Sequence, residues 1–219
     1  MMFNKKKGVK AILVLMGALV LALMPFSTAK AWLICNCVAQ SAFQSRAEEA
    51  EQLVIIAGGK FYEARVHYAL FLAYLEAGNS AQGLPSLVQA IEALGQSIRL
   101  YRTTIYIGEA VGIKPEYVEA LKKIDYDQVE SELKAKPEVW KVIARLGQQG
   151  DVLGLFKEGV RRLEQNRAVL EDLYGLINSG LFPSMGKLLQ VSDSLHETTL
   201  FGIYTSALAI KVSPSCKGE

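Results

Sequence analysis

Histidine and cysteine are scarce: the 219 residues hold two histidines, His67 and His196, and three cysteines, Cys35, Cys37 and Cys216. Three thiols fall far short of a disulfide scaffold. Missing too are Gly-x-Ser-x-Gly, the zinc-protease His-Glu-x-x-His and a phosphate-cradling glycine loop, so none of these motif-borne chemistries is indicated. Gly58-Gly59-Lys60 comes nearest to a phosphate loop, but it lacks the upstream strand and the spacing. An excess of one charge sign is also absent, with 24 Lys and Arg against 22 Asp and Glu, a net +2. Five of the positive charges, Lys5, Lys6, Lys7, Lys10 and Lys30, lie in the first 31 residues, which carry no acid. Without them, 19 positive charges face 22 negative ones, a net −3. A general nucleic-acid binder needs a basic surface to replace phosphate counterions, so no nucleic-acid partner is predicted.

Long hydrophobic runs are confined to the N-terminus. A basic stretch ending at Lys10, the aliphatic run Ala11 to Leu23, Pro25 and then Ala29-Lys30-Ala31 have the order of a secretory signal peptide. Residues 1–31 are therefore predicted to be cleaved, with a mature start at Trp32 and a location in the periplasm or outside the cell. An uncleaved anchor would have to span from Ala11 to Phe26, short of the roughly 20 residues a bilayer core needs. A lipid anchor at Cys35 is disfavoured by Ile34, which stands where a lipobox has Gly or Ala. The best later candidate for a span, Thr199 to Ile210, contains Gly202, Thr205 and Ser206 and reads as a buried helix, so no stable membrane span is expected after processing.

What is present is helical periodicity, and the predicted fold class is all-α: a multi-helix bundle of long antiparallel helices with a small helical insert. Residues 32–219 are read as one domain. Apolar residues at Leu84, Leu87, Ile91, Leu94, Ile98, Tyr101 and Ile105 alternate steps of three and four, one stripe of a helix facing a partner. Ala39, Phe43, Ala47, Ala50, Val54 and Ala57 form an earlier stripe that meets Gly58-Gly59, read as a kink or turn, and continues from Phe61 to Ala77. Gly78-Asn79 is a helix stop, Ser80 a candidate cap, and Pro85 fits only a first turn. Asp151 is a predicted N-cap for a helix running to about Asn178, its apolar stripe interrupted at Asn166-Arg167. That interruption either takes the helix out of the core or places a polar contact inside it. Gly180 and Pro183 break the chain before a last helix, Ser184 to Val212, lined by Met185, Leu188, Leu189, Leu195, Ile203 and Ile210, with small Ser192, Thr199 and Ser206 between them.

The insert, 112–149, is charged and divided by Pro115 and Pro137 into short helices over about 115–124, 126–135 and 137–147. Tyr117, Tyr126 and Trp140 give it apolar surface to pack on the bundle or on something else, and they are the candidate contact residues for a protein partner or for self-association.

Candidate ligands for a metal are Glu63 with His67, four apart on one helix, and Asp193 with His196, three apart on another. A di-iron bundle uses two Glu-x-x-His pairs and two further carboxylates, which this chain does not repeat. Contacts within each helix are the expected role of these four. A haem held by His67 or His196 with Met185 is the remaining cofactor alternative, and it lacks a Cys-x-x-Cys-His site. No cofactor is predicted. Cys35, Cys37 and Cys216 are disulfide candidates for an oxidising compartment: a bond from Cys216 to either of the others would tie the two termini and leave one thiol over. Arg161, Arg162 and Arg167, interleaved with Glu158 and Glu164, are read as a solvated face.

Ala64 to Ile91 resembles one tetratricopeptide helix pair in the spacing of Tyr74, Gly78 and Ala90. Gly83 stands where that family has Ala, and no second copy follows at 34 residues, so the resemblance implies a helical hairpin and not an array. Long helices with a small helical insert are also similar in layout to periplasmic components of type IV secretion systems. The expected function is accordingly an exported, non-enzymatic binding or assembly component. A bundle holding haem, a metal or an apolar small molecule is the alternative, and a thiol-redox protein a third.

Overall fold

The computed structural model describes residues 41–213, and within them seven named helices and no strand. They are α1 (Ala47–Glu76), α2 (Ser80–Val111), α3 (Pro115–Lys122), α4 (Tyr126–Leu133), α5 (Pro137–Gln148), α6 (Val152–Asn178) and α7 (Met185–Val212). The all-α multi-helix bundle is thus shown. The three cysteines, Ala39 and residues 1–31, expected to be a leader, lie outside the described residues.

α1 and α2 form an antiparallel hairpin, α6 packs back along α2, and α7 returns along α6. The short helices α3 to α5 cap one end of this bundle and pack on α6 and α7. Pro115 and Pro137 stand in the first turns of α3 and α5, where the missing N–H is one the helix would leave unpaired anyway. Asp125 and Asp151 cap α4 and α6, their carboxylates accepting from the N–H groups of Gln128 (3.0 Å) and Gly154 (2.7 Å).

Three local expectations change. Gly58-Gly59 does not break α1, which runs unbroken for 30 residues. Packing holds it: Gly58 is buried, and the Ser97 hydroxyl of α2 donates to the Ala57 carbonyl at 2.8 Å, which brings the two backbones close. Ser80 is the first residue of α2, whereas Asn79 occupies the cap position without a side-chain cap bond, and Pro85 lies in the second turn. Phe43 belongs to no helix; it forms an antiparallel bridge with Ile113, and its ring meets Phe156 of α6 at 6.0 Å.

The large-residue stripe of α2 is buried at Leu87, Leu94, Ile98, Tyr101 and Ile105. A second stripe of small residues, Gly83, Ala90, Ser97 and Thr104, repeats every seven residues and is also buried. At Gly83 a Cβ would lie 3.2 Å from both Phe71 and Tyr74 of α1, so this face seats α1 at short range.

Residues expected to line α7 behave differently at its start. Met185 and Leu189 are exposed, with Leu181 and Phe182 of the preceding turn, because the core side of α7 is taken by Leu188, Val191 and Leu195. No described helix is long and apolar enough to cross a membrane.

Candidate functional site

The predicted metal residues stay apart. On α1, His67 Nε2 lies 3.9 Å from Glu63 Oε1, and the other carboxylate oxygen of Glu63 accepts from Lys60 at 2.7 Å. On α7, Asp193 is exposed and His196 half-buried. No group of three or more His, Cys, Asp or Glu side chains gathers among the described residues. His196 and Met185 sit on one helix eleven residues apart, about 16 Å along its axis, so they cannot share one haem iron. His196 is surrounded by charges of both signs. Burial first, then the charges of Arg65 and Lys136, hold its imidazole below the ordinary 6.5, against the opposing pull of Asp193 and Glu197.

A depressed histidine pKa means that the folded state binds fewer protons than the unfolded chain below about pH 6.5, so the contribution of His196 to stability is present above that pH and falls on acidification. The urea midpoint of the wild-type protein is expected to drop more between pH 7 and pH 5 than that of His196→Gln. Equal slopes would contradict this.

Tyr117, Tyr126 and Trp140 do not form a contact surface. Each is under a tenth exposed. The Trp140 ring packs on Tyr126 at 6.1 Å and edge-on to Tyr204 of α7 at 6.0 Å, and the Tyr126 hydroxyl donates to the Leu121 carbonyl at 2.9 Å. Tyr126, Trp140 and Tyr204, with Val129, Val139, Ile143, Phe201 and Leu208, make a second core that fixes the insert to α7, whereas Tyr117 belongs to the main core. Of the two roles read for these aromatics, packing on the bundle is the one their burial supports, and they are not exposed to a partner.

The basic cluster on α6 is also not wholly solvated. Arg162 is 9% exposed, its Nε donates to Glu158 at 2.8 Å, and its guanidinium lies over the Phe201 ring, 5.0 Å from the centroid. Burial raises the Glu158 carboxyl, but hydrogen bonds and charge from Arg161 and Arg162 outweigh it and leave the group below the usual carboxylate range. Asn166 resolves the interruption of the α6 stripe. It is 1% exposed and makes a polar contact inside the core, its amide donating to Thr198 Oγ1 at 2.8 Å while its carbonyl accepts from Ser194 Oγ at 2.5 Å.

Just beyond that contact α6 and α7 diverge and leave a partly open cleft. Leu155, Phe156, Gly159 and Leu163 of α6 form one wall; Thr198, Phe201, Thr205 and Leu208 of α7 form the other. Tyr101 of α2 and Tyr117 of α3 also border it. Counting its solvent-facing mouth, the cleft holds about 720 Å³, of which about 70 Å³ admits the centre of a water molecule, so it is a narrow slot. Gly159 widens it: a Cβ there would meet only Phe201, at 3.6 Å. Among the described residues no charged side chain, histidine, cysteine or methionine lines the slot. These donors do not fit a haem or a metal; they fit a molecule that is uncharged and mainly apolar, since an unpaired charge buried there would cost several kcal/mol (roughly) in desolvation.

Sequence reasoning missed the cleft. The small residues marked on α7 in the sequence, Ser192, Thr199 and Ser206, do not line it; Gly202 and Thr205 do, with Gly159 of α6. No protein family, curated protein or solved structure is matched by this chain.

Proposed function

We propose that the protein is an exported binding protein that holds an uncharged, mainly apolar small molecule between α6 and α7. The observation that carries this reading is the slot itself, an apolar and uncharged recess with a few hydroxyl groups, the usual make-up of a ligand site. Export is supported by the leader-like order of residues 1–31.

An environment-sensitive dye such as N-phenyl-1-naphthylamine is expected to bind the purified protein and brighten. In Gly159→Leu the new side chain enters the slot, and dye affinity should fall at least about tenfold, the equivalent of ~1.4 kcal/mol. Replacing a helical glycine by leucine favours the helix by up to about 1 kcal/mol, so the variant should melt no lower than wild type. Unchanged dye binding in a folded Gly159→Leu protein would overturn the reading.

A further inference from the structure

The slot is closed at both ends, and its ends fix how long an occupant can be. Its lining runs from Val152 to Leu163 on α6 and from Thr198 to Ala209 on α7, two antiparallel walls of about 16 Å each at 1.5 Å per residue. At one end Leu163, Thr198 and Tyr101 are buried, and the Asn166 amide, bonded to Thr198 at 2.8 Å, stands directly behind them. At the other end Val152, Leu121, Leu208 and Ala209 are buried. The half-buried lining residues, Leu155, Phe156, Gly159 and Thr205, all come from between these ends, so the slot opens along its side. Its depth is small as well. The space of about 70 Å³ open to a water's centre, spread along that length, leaves that centre a cross-section of roughly 4 Å², enough for one layer of carbon atoms and too little for two.

We infer that the slot is a ruler for a single unbranched alkyl chain, which lies parallel to α6 and α7 and reaches at most about twelve carbons. This rests on the cleft being the binding site and adds the shape of what it holds. An extended chain advances about 1.25 Å per carbon, from bonds of about 1.5 Å at tetrahedral angles, so a dozen carbons fill the walls from end to end. Carbons beyond that number must bend within a space one layer deep or pass out through the side into water. Neither adds apolar burial, so the gain in affinity with length stops there.

The test displaces the bound dye from the full chain with 1-alkanols from hexanol to tetradecanol, each below its solubility limit. Every methylene that enters the slot should strengthen binding about 3- to 4-fold, up to a break near ten to twelve carbons, with no further gain beyond it. Two variants should move the break in opposite directions. Ala209→Leu fills one end and should shorten the preferred chain by about two or three carbons, whereas Leu163→Ala empties the other and should lengthen it by about as much, the size of the side-chain difference. Hexanol, short enough for every version of the slot, should bind all three proteins alike. Thermal melts confirm that each protein compared is folded; if Leu163→Ala does not fold, the wild-type series and Ala209→Leu decide. Affinity that climbs without a break to tetradecanol, or a break that neither folded variant moves, overturns this inference and leaves the cleft as the binding site. Dye binding that no alkanol displaces, or that persists in Gly159→Leu, overturns the cleft reading and this inference together.

Discussion

Trp140→Ala is expected to lower the unfolding free energy by about 3–5 kcal/mol, a large share of the roughly 5–15 kcal/mol that keeps a domain folded. Trp140 is 2% exposed and lies between Tyr126 of α4 and Tyr204 of α7. Removing the indole takes away the residue that joins three elements and leaves a cavity that short, capped helices can close only by moving. The effect should reach the slot as well, because Phe201 and Leu208 belong both to this second core and to the cleft wall. A urea titration followed by helical circular dichroism measures the loss, and the dye measures the weakened site. A change below about 1 kcal/mol, the ordinary range for a surface substitution, would contradict the packing described.

Gly147→Ala should run against the usual sign for a helix. In α5 an alanine would ordinarily favour the helix by about 1 kcal/mol over glycine. Here its Cβ would come 2.6 Å from Cζ and 2.8 Å from Cε1 of Tyr126, with the phenol oxygen nearer still. That ring is not free to swing away: it is buried, packed at a tilt against Trp140 and hydrogen-bonded to Leu121. Overpacking of this kind costs about 1–3 kcal/mol and outweighs the helix gain of about 1 kcal/mol, so a net loss of up to about 2 kcal/mol is expected from the urea titration. In a Tyr126→Phe background the penalty should shrink, because the phenol oxygen is gone while the ring carbons remain. A Gly147→Ala protein more stable than wild type would show that Tyr126 does not fill this position.

The bundle was legible where large apolar residues repeat and where prolines and acids mark helix starts. The stripe from Leu84 to Ile105, the prolines at 115 and 137 and the cap at Asp151 each stand in the expected role. Patterns of small residues were harder to read, because one side chain size serves two opposite ends. Gly58 and Ser97 bring α1 and α2 together, whereas Gly159 on α6 and Gly202 on α7 line an opening. Which outcome holds depends on what the neighbouring helix presents, and that is long-range information. Asn166 shows the same limit for polar residues: its place in the stripe announced a contact, but its partners, Ser194 and Thr198, are 28 and 32 residues away in sequence. The aromatics of the insert were legible as apolar surface that must be covered, by the bundle or by something else, since periodicity shows that a face must be covered and not by what; the bundle covers them.

The central claim, that an uncharged apolar molecule binds between α6 and α7, is tested most directly by methyl-resolved NMR of the protein during titration with 1-decanol. The expected result is saturable shifts confined to the methyl groups of Leu121, Val152, Leu155, Leu163, Leu208 and Ala209, which line the slot. Shifts centred instead on Leu181 and Leu189 at the exposed far end of α7, or no saturable shift at all, would contradict it.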